Sequence, residues 1–141
     1  METKKKPLIL LVDDYIDFHK QMIFAFRDFE FISAYSVEGG KKVSSNLFID
    51  LAILDLCFNE SIATFDGFEL IDHFNTYRPD VPLIILSNFA EHPHVQERLK
   101  KTKSFYLSKS EFNLKKWQDI FKNNLKQNNV QHETDSAFNR Q

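Results

Sequence analysis

The chain has 141 residues, 43% hydrophobic and 27% charged, which suits one domain around a single core and leaves little room for a second. A formal net charge of -2 and a pI of about 6.2 supply no global basic field to hold nucleic acid or an anionic membrane, and no apolar run approaches the roughly 20 residues of a membrane span. Cys57 is the single cysteine, which excludes an internal disulfide and a cysteine-built zinc site.

The opening METKKKPLILLVDD has a basic lead, but its apolar part ends at Asp13-Asp14 and no small-residue cleavage site follows. It reads as the first core strand, Leu8–Val12, of a cytoplasmic protein. Phe18, Met22, Ala25 and Phe29 then recur at helical spacing, with Ile23 and Phe26 widening the stripe. A second strand is predicted at Phe31–Tyr35. A helix over about Ser36–Asn46 follows, although Gly39-Gly40 sits inside it. Leu51–Leu54 is a continuous apolar run, the mark of a strand covered on both faces. Asp66-Gly67 offers an acidic residue to a helix start, and Phe68, Ile71, Phe74 and Tyr77 line one side of that helix. Arg78–Pro82 (RPDVP) stops it before a fourth strand, Leu83–Leu86. Pro93 suits the first turn of a helix to about Lys101. A fifth strand is expected at Phe105–Leu107, and Ser110 with Glu111 is expected to begin a last helix carrying Leu114, Trp117, Phe121 and Leu125. From Gln127 the sequence is polar and aperiodic, so residues 127–141 are expected to form a disordered tail after a domain over 1–126. The fifteen phenylalanines favour a Phe-rich core over a dedicated partner surface.

Strands alternating with helices imply a parallel sheet covered on both sides. In such sheets ligands bind beyond the carboxyl ends of the strands. Those ends carry Asp13-Asp14 after the first strand, Asp55 after the third, Ser87 after the fourth and Lys109 after the fifth. Crowded carboxylates attract a divalent cation, and Mg2+ (or Mn2+) suits one that shares its shell with phosphate. Lys109 offers a point charge for a phosphate oxygen and Ser87 a hydroxyl donor. A carboxylate so neutralised becomes usable as a nucleophile toward phosphorus. Taken singly, these residues have blander readings: Asp13-Asp14 as helix-start acids, Lys109 as a surface lysine. The histidines, His19 among them, show no ligand-like spacing.

In this order and at these spacings, LILLVDD, LAILDL, LIILSN and FYLSK resemble the receiver domain of two-component response regulators, over about Leu8 to Lys126. The resemblance implies a flavodoxin-like (βα)5 three-layer sandwich with a five-stranded parallel sheet of order 2-1-3-4-5. It implies Asp55 as the phosphoacceptor, fed by a phosphohistidine on a sensor histidine kinase or a histidine phosphotransfer protein. It further implies Mg2+ held by Asp13, Asp14, Asp55 and the backbone carbonyl of Cys57, phosphate pairing by Lys109, a switch hydroxyl at Ser87 and a switch aromatic at Tyr106. Such a chain is no enzyme beyond its own phosphorylation and dephosphorylation. It signals to a downstream protein or relays the phosphoryl group, with a phosphorylation-dependent dimer as a further expectation.

The sequence departs from the family at several points. The span from Asp55 to Asp66 is long, and it carries Phe58, Ile62 and Phe65. Ser110 stands where the family has proline; a cis bond before a non-proline costs about 3 kcal/mol, so trans is expected. Ser87 replaces the commoner threonine. Asn88 stands in place of a very small residue, and either narrows access or adds a hydrogen bond. Phe89 is expected to screen an acyl phosphate from water. These departures give weight to an alternative, a pseudo-receiver acting as a constitutive binding module. A dehalogenase-type phosphatase would need an acid two residues beyond Asp55, where Cys57 stands.

Overall fold

The structure, a computed structural model, describes residues 5–56, 66–88, 93–102 and 104–125. Strands β1 (Leu8–Val12), β2 (Glu30–Ala34), β3 (Leu51–Asp55), β4 (Leu83–Ser87) and β5 (Phe105–Ser108) form one sheet of order β2-β1-β3-β4-β5, all pairs parallel. Between them run α1 (Ile16–Ala25), α2 (Val37–Asn46), α3 (Gly67–Tyr77) and α4 (Pro93–Lys100), and residues 114–125 form α5. This is the parallel sheet covered on both sides that the strand-helix alternation predicts, in the flavodoxin-like order that the resemblance implies.

The two faces follow from strand alternation. Ile9, Leu11, Leu51, Ile53, Ile84, Leu86 and Leu107 pack against α1 and α5 through Phe18, Met22, Phe26, Trp117, Phe121 and Leu125. The intervening Leu10, Val12, Ala52, Leu54 and Ile85 meet Phe68, Leu70, Ile71 and Phe74 of α3 and Val95 of α4. Aromatic rings concentrate on the first face, with Phe26 and Phe121 centroids 5.0 Å apart and Phe112 edge-on to Trp117 at 4.8 Å. Thus most of the described phenylalanines serve the core. Phe24 and Phe48 stay 73% and 90% exposed, each beneath a guanidinium, of Arg27 and Arg78.

Local chemistry explains the weakest element. Ser36 caps α2 by accepting from the Gly39 amide at 3.0 Å. A Cβ on Gly40 would stand 2.9 Å from Leu70 and 3.1 Å from Val12, so this glycine lets α2 approach the sheet and α3. Gly67 is tighter still. A Cβ there would meet the Asp55 carbonyl at 2.3 Å and Leu56 Cα at 2.6 Å, and its amide donates to the Leu56 carbonyl at 2.9 Å. The start of α3 is thereby seated on the backbone that carries Asp55.

Several expectations shift. Ser110 and Glu111 do not begin the last helix: they lie in a 3-10 turn, Lys109–Glu111, and α5 starts later because Asn113 caps the Lys116 amide at 2.9 Å. Asp66 precedes α3 but makes no side-chain cap bond. Ile23, Tyr77 and Leu114 leave their stripes, at 48%, 68% and 48% exposure. The tail 127–141 and the loop residues Cys57, Phe58, Ile62 and Phe65 lie outside the described residues, as does Phe89.

Beside the Arg78 side chain, α2 and α3 are tied by Ser44. Its hydroxyl donates to the Lys41 carbonyl and accepts from His73 Nε2 at 3.1 Å. Burial and the Lys41 ammonium hold the His73 imidazole below its ordinary value of 6.5. The unfolded chain then gains a proton before the folded one as pH falls, so stability present above that value is lost below it. The urea midpoint of the wild type should therefore drop more than that of His73→Gln between about pH 7 and about pH 5.5. Gly67→Ala should cost about 1–3 kcal/mol in urea unfolding, because its methyl meets backbone that has nowhere to go.

Candidate functional site

β1 and β3 flank the point where strand order reverses, and both end in acids. By alternation, Asp13 and Asp55 continue the α1/α5 face of their strands, and Lys109, two beyond Leu107, shares that side. Asp13 is fully buried and Asp55 is 2% exposed, whereas Asp14 faces solvent. Lys109 Nζ lies 2.5 Å from Asp13 Oδ2 and 3.6 Å from Asp55 Oδ1. The contact with Asp13 Oδ2 is an ion pair whose direction departs from hydrogen-bond geometry. The same ammonium sits 4.9 Å from the centroid of the Phe18 ring, so its remaining surroundings are partly apolar.

Carboxylate oxygens of Asp13, Asp14 and Asp55 come within 4.8 Å of one another. An all-oxygen donor set with an exposed member fits a hard divalent cation that keeps waters, as Mg2+ and Mn2+ do. Carboxylates crowded this closely repel one another, which favours such an ion. Cys57, whose carbonyl would complete the set, lies outside the described residues.

Ser87 ends β4 at 1% exposure, paired in register with Ser108. It belongs by alternation to the opposite face, where Tyr106 packs half-buried and donates its hydroxyl to the Ser87 carbonyl at 2.8 Å. Asn88 follows, exposed, at the rim. The structure thus brings Asp13, Asp14, Asp55 and Lys109 into one cluster and ties Tyr106 to Ser87 beside it.

One residue escapes the sequence reading. His19 of α1 is 2% exposed, with Nε2 2.7 Å from the Asp13 carbonyl and Nδ1 2.8 Å from Ser33 Oγ. Its spacing from Met22 and Phe26, i+3 and i+7, places it on the buried stripe, and a polar residue there signals a buried partner.

No family model matches the chain, and no curated protein matches it by sequence. Solved structures match it in fold. A CheY-like response regulator receiver domain protein from Methanospirillum hungatei has a TM-score of 0.74 at 23% identity, covering 90% of this chain and 99% of that one. The signal receiver domain of a Luxo repressor protein from Vibrio parahaemolyticus has a TM-score of 0.80 at 16% identity, covering 92% and 98%. A response regulator receiver domain from Francisella has a TM-score of 0.73 at 19% identity, covering 86% and 98%. The chain has the receiver-domain fold.

Removing Lys109 should leave the buried Asp13 carboxyl without its ion-pair partner. Lys109→Met is expected to lose about 3 kcal/mol in urea unfolding with chelator present, and the added change Asp13→Asn should restore most of it.

Proposed function

We propose that the chain is a phosphoacceptor switch of a two-component or phosphorelay system, with Asp55 as the acceptor. The placement of Asp55 carries this reading: a nearly buried carboxylate closes β3 at the strand-order reversal, 3.6 Å from Lys109 Nζ and clustered with Asp13 and Asp14. The fold shared with receiver domains supports it.

In the proposed reaction a carboxylate oxygen of Asp55 attacks the phosphorus of a phosphohistidine on a sensor histidine kinase or histidine phosphotransfer protein. The P–N bond breaks, the imidazole leaves with the electron pair and takes a proton, and Asp55 holds an acyl phosphate. Asp13, Asp14 and Asp55, with the Cys57 carbonyl, would hold Mg2+ or Mn2+, which when bound supplies charge neutralisation for the acids and the incoming phosphoryl group. Lys109 pairs with a phosphoryl oxygen, exchanging part of its contact with Asp13 for the new anion. Ser87 donates its hydroxyl to another oxygen. Tyr106, bonded to the Ser87 carbonyl, carries the change to the surface.

In this reading the chain acts on no substrate beyond its own phosphoryl group. It works in the cytoplasm, through contact with a downstream protein, onward relay or a phosphorylation-dependent dimer. Among the described residues no helix is long and apolar enough to cross a membrane.

Incubation with acetyl phosphate and Mg2+ should add one phosphoryl group by intact mass, labile to hydroxylamine and absent from Asp55→Asn. Lack of an adduct, together with no beryllofluoride-induced change in the signals of Tyr106, would overturn the switch. The exposed Asn88 and the serine at position 110 would then favour the constitutive binding module.

A further inference from the structure

A buried histidine one turn into α1 has both ring nitrogens engaged beside the acidic cluster. Its bonds fall on the backbone of the cluster and on the neighbouring strand. A carbonyl only accepts, so the 2.7 Å contact with the Asp13 oxygen requires the proton on His19 Nε2. In the neutral ring Nδ1 then accepts, and Ser33 of β2 donates its hydroxyl at 2.8 Å. The Tyr35 ring lies against the imidazole with centroids 4.6 Å apart, which limits rotation of the ring.

From these contacts we infer that His19 is a positioning residue for the cation site: it fixes the Asp13–Asp14 peptide so that both carboxylates meet the same ion. This rests on the reading of Asp13, Asp14 and Asp55 as cation ligands. The Asp13 amide donates to the Ala34 carbonyl at 3.1 Å, and Asp13 Oδ1 accepts from the Tyr15 amide at 2.9 Å. Lys109 pairs with Oδ2, and the carbonyl oxygen is a further handle on this residue; it belongs to the peptide unit that leads into Asp14. With that oxygen held, the plane of the Asp13–Asp14 peptide is set, and with it the direction in which Asp14 leaves the strand. Without His19 the carbonyl must turn to find another donor, which moves Asp14 relative to Asp13 and Asp55. The effect is that of an outer partner on a ligand set, transmitted through main chain instead of through a ligating side chain.

The test is titration of the full chain with Mn2+, followed by the resonance of the free ion, at a temperature where circular dichroism shows each variant folded. Three substitutions separate bonding from bulk. The amide nitrogen of His19→Gln stands as many bonds from the backbone as Nε2 and can donate to the Asp13 carbonyl. His19→Asn is polar but too short to reach it. His19→Phe keeps the ring against Tyr35 and loses both bonds. The Gln variant should bind Mn2+ within about threefold of wild type, while the Asn and Phe variants should bind about tenfold or more weakly. Asn and Phe variants that bind as tightly as wild type would overturn the inference. So would a Gln variant as weak as Phe, or Phe and Asn variants that fail to fold while Gln folds and binds no differently from Asp55→Asn. If Phe alone fails to fold, the Gln–Asn pair decides. A wild type without saturable Mn2+ binding removed by Asp55→Asn would instead overturn the cation site itself.

Discussion

Lys109 is the cation that reaches two carboxylates withdrawn from water at one edge of the sheet, and the rest of the arrangement depends on that contact. Burying an ionised carboxylate without a partner is costly, and Asp13 and Asp55 have almost no exposed surface. The ammonium offsets part of that cost, more closely for Asp13 than for Asp55. Asp14 adds a third carboxylate at the rim, its oxygen within 4.8 Å of the other two. The edge therefore gathers three acids around one lysine that reaches two of them. In the proposed function, that crowding gives a divalent ion something to do.

The cluster also needs its backbone held still. Strand pairing supplies part of this: the Asp13 amide continues the β1–β2 ladder and the Leu56 amide continues β3–β4. The remainder comes from contacts outside the sheet. Gly67 seats the start of α3 directly on the Asp55 and Leu56 backbone, at an approach that only a residue without a side chain allows. His19 holds the Asp13 carbonyl from the α1 side. Asp13 and Asp55 are thus braced from opposite layers of the sandwich, and neither brace adds a charge of its own when the imidazole is neutral.

Much of this could be read in the sequence. The apolar runs ending in Asp13, Asp55 and Ser87 gave β1, β3 and β4 nearly to the residue, because a strand buried on both faces admits no polar residue until it leaves the core. The alternation of the runs implied a parallel sheet with Asp13, Asp14, Asp55 and Lys109 at its carboxyl edge, and the resemblance to receiver domains supplied the strand order. Less legible were features set by space instead of polarity. The approach at Gly67 and the packing of Gly40 against Leu70 depend on backbone positions that no pattern records. The start of α5 slipped from Ser110 to residue 114, because a 3-10 turn and the Asn113 cap compete locally with helix propensity. Exposed Ile23 and Tyr77 show the limit of periodicity: a wide apolar stripe says which face is inward but not where its margin falls. His19 was hidden for the opposite reason, since a polar residue within the stripe is ordinarily discounted.

The two faces of the sheet meet at Ser87, and this bears on how a local event could travel. Asp13, Asp55 and Lys109 lie toward α1 and α5, while Tyr106 packs with the α3 and α4 layer and bonds the carbonyl of Ser87. On the same layer, the Arg98 guanidinium of α4 stands 3.8 Å over the face of Phe68, which follows Gly67 at the start of α3. In the proposed function an anion on Asp55 would draw on the Ser87 hydroxyl, and the Tyr106 hydroxyl is bonded to the carbonyl of the same residue. Tyr106 is half-buried, so a change in its seat alters both the packing beneath α4 and the surface that β5 presents. In the proposed function, charge would thereby be converted into shape within a few bonds, without a long chain of couplings.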